Sequence, residues 1–444
     1  MGMVMQVRQL LRSLYVPTKT SFNIEKVCII GLGYVGLPTA AIIAKQGIKV
    51  CGVDINKDTV KIINEGKIHI VEPDLDTIVQ STVSAGNLRA TTSVETADAF
   101  IIAVPTPFKG KNEPDLKYLE QAVRSLAPKL KNGNLIVLES TSPVGTTKKI
   151  AHWLSTARPD LKFPSAEKNS LTQESDIYIA HSPERVLPGK ILTELVNNDR
   201  VIGGLSKPCG ERARQLYSLF INGRCHLTDS ETAELVKLTE NAYRDTNIAF
   251  ANEMSLVCDK LNIDIWNMID LANLHPRVNI LKPGPGVGGH CIAVDPWFIV
   301  HSAPDQTPLI QTARSVNNSK PNWVVRQAIQ AAKPSSTITC LGLSYKSDID
   351  DLRESPAIEV IKELATQHSG PIIIAEPNVM ELPSCLKEYL NIELSAYKTA
   401  IRLSEIIIVL TDHIEFKNVS LSELENKILI DTRGIWHKKT ETIL

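Results

Sequence analysis

Between residues 26 and 54 the chain sets an apolar strand (KVCII), the glycines Gly31, Gly33 and Gly36, a helix from Val35, a second strand (IKVCGVD) and an acid, Asp54. Few folds accept three glycines at that spacing between a strand and a helix. The first allows a tight turn. The second lets the backbone N–H groups of Gly33, Tyr34 and Val35 approach a pyrophosphate at the positive end of the helix, and the third lets helix and strand pack closely. Asp54, eighteen positions beyond Gly36, would accept hydrogen bonds from ribose hydroxyls and repel a 2′-phosphate, which favours NAD over NADP.

The alternation continues. Strands AFIIAV, NLIVLES and RVIGG are separated by helical patterns near 56–65, 115–130 and 207–220, which predicts a parallel sheet with helices on both faces. From 228 to 261 there is neither glycine nor proline, and Thr228 with Glu231 has capping-box spacing, so one long helix is expected. A second α/β pattern follows in TITCLGLSYK, a helix from Pro356, PIIIAEP, IIIVLTD and KILIDTRG. The expected fold class is α/β, with two Rossmann-like doubly wound domains joined by a long central helix. The expected divisions are an extension at 1–24, an NAD-binding domain at 25–214, a central helical and dimerisation domain at 215–320, and a nucleotide-sugar domain at 321–444.

Lysine plus arginine total 48 against 49 acids. A balanced charge gives no pull toward nucleic acid, so an anionic ligand must be held locally. No apolar run approaches the roughly 18 residues of a membrane span, and a soluble, cytoplasmic protein is expected. Eight cysteines, scattered without CxxC pairs, argue against disulfides and against a metal site.

One cysteine stands in a chemical context. In GPGVGGHCIAVDP, glycines let the backbone press against a ligand, Cys291 ends the loop, and Asp295 follows four residues on to orient or deprotonate a water. His290 reads as a hydrogen-bonding structural residue. Lys237 and Asn241 share a face of the long helix, and the polar turns holding Thr141 and Glu184–Arg185 follow strands, where carboxyl ends line a cleft. A solvated helix face would also explain Lys237 and Asn241, and ordinary loop polarity is the alternative for the two turns, although their position favours function. Ser355 before Pro356 reads as a helix cap, with Arg353 a candidate phosphate contact.

Taken together, GLGYVGLP, VPTPF, ESTSPVG, SPERVLPG, KLTENAYRDTNIAFANE, HPRVNILKPGPGVGGHCIAVDPWF and LGLSYKSDIDDLRESPA resemble the UDP-glucose/GDP-mannose dehydrogenase family, in order over residues 25–436. The resemblance implies an NAD-dependent four-electron oxidation of a sugar C6 alcohol to a carboxylate through a Cys291 thiohemiacetal and thioester. It implies oxyanion stabilisation by Lys237 with Asn241 as its partner near the sugar, a proton-handling role for Asp295 with Thr141, and a Pro-Glu loop acid at Glu184. Thr106, Thr141 and Arg353 fall at cofactor positions. Arg185, Arg277, Gly288, His290 and Lys346 fall at substrate positions, with the 282–289 loop along the UDP moiety and Arg277 crossing a homodimer. Pro188 stands where glucose-type members have a second acid, and Val294 where a lysine often precedes the aspartate.

His290, a serine in glucose-type members, and the stretches HIVEPDL and PERVLPGKILTELVNNDRVIGG fit the N-acetylhexosamine branch. The expected partner is a UDP-N-acetylhexosamine, UDP-N-acetyl-D-mannosamine first, with the glucosamine, galactosamine and UDP-glucose forms as alternatives, feeding surface-polysaccharide synthesis. A two-electron β-hydroxyacid dehydrogenase needs no cysteine and no second α/β domain. An NAD-sensing binding protein would have no use for Cys291, Lys237 and Asp295 together.

Overall fold

The computed structural model describes residues 23–110, 112–164, 175–186, 189–289 and 291–437. They pack as two compact units, the first running through Pro107 and then Asp115–Leu235, the second comprising Phe108–Pro114 and Val236 onward. Residues 215–235 thus fall in the first unit and 236–320 in the second. Half of the polar stretch 156–175, residues 165–174, lies outside the described residues, as do residues 1–22, Pro188 and His290.

The first unit contains β1 (Lys26–Ile30), β2 (Lys49–Val53), β3 (Leu88–Thr91), β4 (Ala99–Ile102), β7 (Leu135–Leu138), β8 (Tyr178–His181), β9 (Arg200–Gly204) and β10 (Cys225–Asp229). β5 and β6 (Phe108–Lys109, Glu113–Pro114) form a small hairpin that belongs to the second unit. The sheet order is β10-β9-β8-β7-β4-β1-β2-β3. β1, β4 and β7 are continuous apolar runs because helices cover both faces, giving one core around Val27, Ile29 and Leu37 and another around Cys28, Phe100 and Leu138. Each fully buried side chain of this size contributes about 1.5–3 kcal/mol.

The order reverses between β1 and β4, and at such a switch point the strand ends leave a crevice. Two sequence expectations are corrected. RVIGG pairs antiparallel with β8, through Ala180 with Gly204 and His181 with Gly203, so the sheet is mixed. The long helix spans Ser230–Leu261, and Thr228 remains in β10 opposite Gly203. The cap is Asp229, whose carboxylate accepts from the Thr232 N–H at 2.8 Å and the Thr232 hydroxyl at 2.7 Å. A Cβ at Gly203 would lie 2.5 Å from the Asp229 carbonyl oxygen. The glycines of β9 therefore let this helix start directly off the sheet.

In the second unit, β11 (Ile338–Leu341), β12 (Ile372–Ala375), β13 (Ile392–Leu394), β14 (Ile406–Val409) and β15 (Ile428–Asp431) form a parallel sheet of order β13-β12-β11-β14-β15. Its switch point repeats the local chemistry of the first. Gly342, φ +99°, turns after β11 where an added Cβ would meet Thr411, and Glu376 after β12 accepts from the Leu343 N–H at 2.7 Å. The Ser355 hydroxyl caps the helix Pro356–Gln367. Ser230–Leu261 and Pro308–Ala331 are joined by buried polar groups. Arg314 donates to Asp245 at 2.7 Å, Asn317 to Asp245 at 2.8 Å, and Asn252 to Asn317 at 2.9 Å. Removing one member of such a buried pair costs about 3–5 kcal/mol, because the other charge is left uncompensated.

Candidate active site

In the second unit the long helix presents Lys237 and Asn241 one turn apart, both nearly buried. The chain after Cys291 turns back on itself, the Cys291 carbonyl accepting from the Asp295 N–H at 2.8 Å, and Asp295 opens the helix Asp295–Ser302. Asn241 Nδ2 donates to Asp295 Oδ2 at 2.5 Å. Burial pushes the Asp295 carboxyl up to about 6, with the Lys237 charge and the Asn241 hydrogen bond pulling the other way. Burial and then the Asp295 charge push the Cys291 thiol up to about 11, against Lys237 and Arg353. Cys291 therefore rests as a thiol beside a carboxyl suited to exchanging protons near neutral pH.

The loop that leads to Cys291 is pinned at both ends. The Gly284 N–H donates to Asn252 Oδ1 at 2.9 Å, and the Gly289 N–H to the Arg353 carbonyl at 3.3 Å. A Cβ at Gly288 would lie 2.3 Å from the Glu354 carbonyl oxygen, so this glycine is needed for packing against residues 345–356 of the protein itself. Arg353 is paired with Asp351 at 2.7 Å. Lys346 is half-buried, and Arg277 is exposed in the turn after the helix Ile265–Ala272.

In the first unit Gly31, φ +93°, sits where a Cβ would be 2.5 Å from the Ala103 carbonyl oxygen, and a Cβ on Gly36 would be 1.8 Å from that of Gly31. Gly33 faces open space and Tyr34 and Val35 are half-buried, so the backbone is left uncovered where a pyrophosphate would run. Asp54 accepts from the Leu32 N–H at 3.0 Å and the Asn56 N–H at 2.9 Å, which holds its carboxylate at the end of β2. These residues fit NAD. The Thr106 hydroxyl donates to the Thr141 carbonyl at 2.6 Å, fastening together the loops after β4 and β7. Glu184 is nearly buried and pairs with Arg200, while Arg185 reaches the Asp199 carbonyl.

The structure thus assembles Cys291, Asp295, Asn241 and Lys237 in one unit, and Gly31, Gly33, Gly36 and Asp54 in the other. Two buried acids escape a reading of the sequence. Glu234 accepts from the Gly145 N–H at 2.6 Å and the Thr147 N–H at 2.7 Å, fixing the turn after Thr141. Glu72, in HIVEPDL, accepts from the N–H groups of Gly189 and Ile191 at 2.8 and 2.7 Å. The spacing 234, 237, 241, 245 along one helix was the available signal for Glu234, since those positions share a face. Glu72 has no local signal.

Residues 25–221 match the NAD binding domain of the UDP-glucose/GDP-mannose dehydrogenase family, 231–319 its central domain, and 339–438 its UDP binding domain. The chain is 56% identical over 398 residues to the UDP-N-acetyl-D-mannosamine dehydrogenase of Campylobacter jejuni, covering 89% of this chain and 97% of that one. It is 54% identical over 419 residues to the NDP-N-acetyl-D-galactosaminuronic acid dehydrogenase of Ralstonia nicotianae, covering 94% and 97%. The structure of the UDP-N-acetyl-mannosamine dehydrogenase from Staphylococcus aureus superposes with a TM-score of 0.80 at 41% identity, covering 92% of this chain and 95% of that one. With both switch-point crevices, the cysteine loop and the NAD fingerprint accounted for, the chain belongs to the UDP-glucose/GDP-mannose dehydrogenase family and is an NAD-dependent dehydrogenase.

Proposed function

We propose that the protein oxidises C6 of UDP-N-acetyl-D-mannosamine from alcohol to carboxylate in two steps without releasing the aldehyde. The observation that carries this reading is the cluster of half-buried Cys291 with buried Asp295, Asn241 and Lys237. NAD, held by the Gly31–Gly36 turn and Asp54, supplies the acceptor for the hydride lost at each oxidation.

In the first oxidation the C6 hydroxyl proton passes through a water to Asp295 and on to solvent, while Lys237 and Asn241 stabilise the charge that develops on the C6 oxygen. An aldehyde has no second hydride to give until a nucleophile adds. The Cys291 sulfur bonds to C6 as its proton passes to Asp295, and the carbonyl electron pair becomes an oxyanion beside Lys237. Loss of hydride from this thiohemiacetal leaves a thioester. Asp295 releases the thiol proton to solvent, then takes a proton from the water that adds to the thioester carbon. As the C–S bond breaks, Asp295 returns that proton to the departing sulfur, which regains its thiol form, and the acid formed loses its remaining proton and leaves as the carboxylate. Thr141 and Glu184 hold water and sugar hydroxyls, and Arg185, Arg277, Gly288, His290 and Lys346 contact the UDP-sugar.

The galactosamine epimer is the second reading, favoured by the 54% identical Ralstonia relative. We further propose a homodimer, because Tyr243, Phe250 and Val257, seven residues apart on the long helix, are 69, 52 and 40% exposed. No helix among the described residues is long and apolar enough to cross a membrane, and we assign the reaction to the cytoplasm.

The test measures NADH formed per limiting sugar across UDP-hexoses and UDP-N-acetylhexosamines. About two NADH per UDP-N-acetyl-D-mannosamine is expected. One NADH with free aldehyde would remove Cys291 from the mechanism, and two with another sugar would correct the substrate.

A further inference from the structure

Behind Glu184 lies a group of buried charges that the chemistry above leaves unused. Arg200, the first residue of β9, is 4% exposed. One Nη donates to Glu184 and the other to Glu139 at 3.3 Å, so a single guanidinium bridges two carboxylates. Glu139, directly after β7, also accepts from the Tyr217 hydroxyl at 2.8 Å and from the Thr39 hydroxyl at 3.4 Å. The guanidinium lies 4.6 Å from the centre of the Tyr217 ring, and the second Glu184 oxygen accepts from the Arg185 N–H at 2.6 Å.

Charges placed this deep contribute little net stability, since well-packed apolar residues of the same volume do as well or better. What the arrangement supplies is geometry. The guanidinium fork is planar and fixes the carboxylates it bridges, and Tyr217 fixes the fork. Both oxygens of Glu184 already accept from donors on the protein, which orients its remaining lone pairs. Burial, ahead of the opposing Arg200 charge, pushes Glu139 up to about 7.

We propose that Arg200 and Glu139 are positioning residues for Glu184, Arg200 being clamped on Glu139 and Tyr217 so that the Glu184 carboxylate is held in one orientation. This rests on the reading of Glu184 as an acid of the sugar-oxidising site. A residue acting only through Glu184 has nothing left to act on once Glu184 is gone.

The experiment is a double-mutant cycle on the full-length enzyme with NAD and UDP-N-acetyl-D-mannosamine, using E184Q, R200K, E139Q and the doubles R200K/E184Q and E139Q/E184Q. R200K is expected to lower kcat about tenfold or more while the Kd for NAD stays within about twofold, and to change kcat less than about twofold in the E184Q background. E139Q keeps the side-chain shape, and its milder loss should likewise vanish in that background. Losses that multiply in both cycles would overturn the proposal. Should R200K fail to fold by thermal unfolding, the E139Q cycle decides alone. An active wild type with unimpaired E184Q overturns the positioning role and leaves Cys291 chemistry standing, whereas a wild type that makes no NADH overturns both.

Discussion

Replacing Asp295 with asparagine should move two properties of Cys291 in opposite directions. The substitution is nearly isosteric, and the Asn241 amide retains an oxygen acceptor at that position. In the native protein the thiol sits at about 11, so at about pH 8 the thiolate fraction is about one in a thousand. The Asp295 charge is the second cause of that elevation, after burial, and its removal lets Lys237 and Arg353 lower the thiol. Alkylation of Cys291 by iodoacetamide should therefore quicken in D295N. Turnover should fall, because the variant has no group to take the thiol and water protons. General-base contributions of about 10²–10⁴ correspond to about 2.7–5.5 kcal/mol of barrier.

The pH dependence follows from the same carboxyl. Its position near 6 means that it is protonated, and unable to accept, below that pH, so wild-type kcat/KM should fall on the acid side with a half-point near 6. D295N should lack this limb. The assay pairs mass-spectrometric alkylation rates with NADH absorbance. Alkylation slower than wild type, or turnover within about tenfold of it, would refute the assignment of Asp295 as the proton acceptor beside Cys291.

Three further outcomes are expected. Asp54→Ala removes an acceptor that holds the Leu32 and Asn56 N–H groups and should weaken NAD by about tenfold to a hundredfold, leaving the KM for the UDP-sugar in place; calorimetric titration that finds equal losses would contradict the fingerprint. Gly36→Ala drives a Cβ to within 1.8 Å of the Gly31 carbonyl oxygen and should cost at least about 1–3 kcal/mol in urea unfolding, together with NAD binding. Phe250→Glu with Tyr243→Glu should yield a monomer by analytical ultracentrifugation, and an unchanged dimer mass would place the interface elsewhere.

The parts of this protein that were legible in its sequence are those whose chemistry is local. The turn at Gly31, the opening at Gly33 and the acid at Asp54 lie within about thirty residues, the span of one βαβ unit. The cap at Ser355 and the face shared by Lys237 and Asn241 follow from helix geometry alone. Where local signals competed, the local reading erred. Thr228 carries a capping pattern, yet the backbone pairing of β10 with Gly203 and Gly204 keeps it in a strand and passes the cap to Asp229. RVIGG reads as one more parallel strand, yet it pairs antiparallel with β8 through Ala180 with Gly204 and His181 with Gly203, a direction that only the tertiary structure sets.

The sequence by itself determined two α/β patterns and the NAD turn, and it singled out Cys291 in its glycine-rich loop, because periodicity and short-range sterics act between near neighbours. Only the tertiary structure decided what surrounds them. Glu139 and Arg200 are 61 residues apart, Asp245 and Arg314 are 69, and Glu72 and Ile191 are 119. Such pairs form because a buried carboxylate must find donors wherever the fold brings them. The same holds for Cys291, whose protonation depends on the burial and charges that packing sets around it.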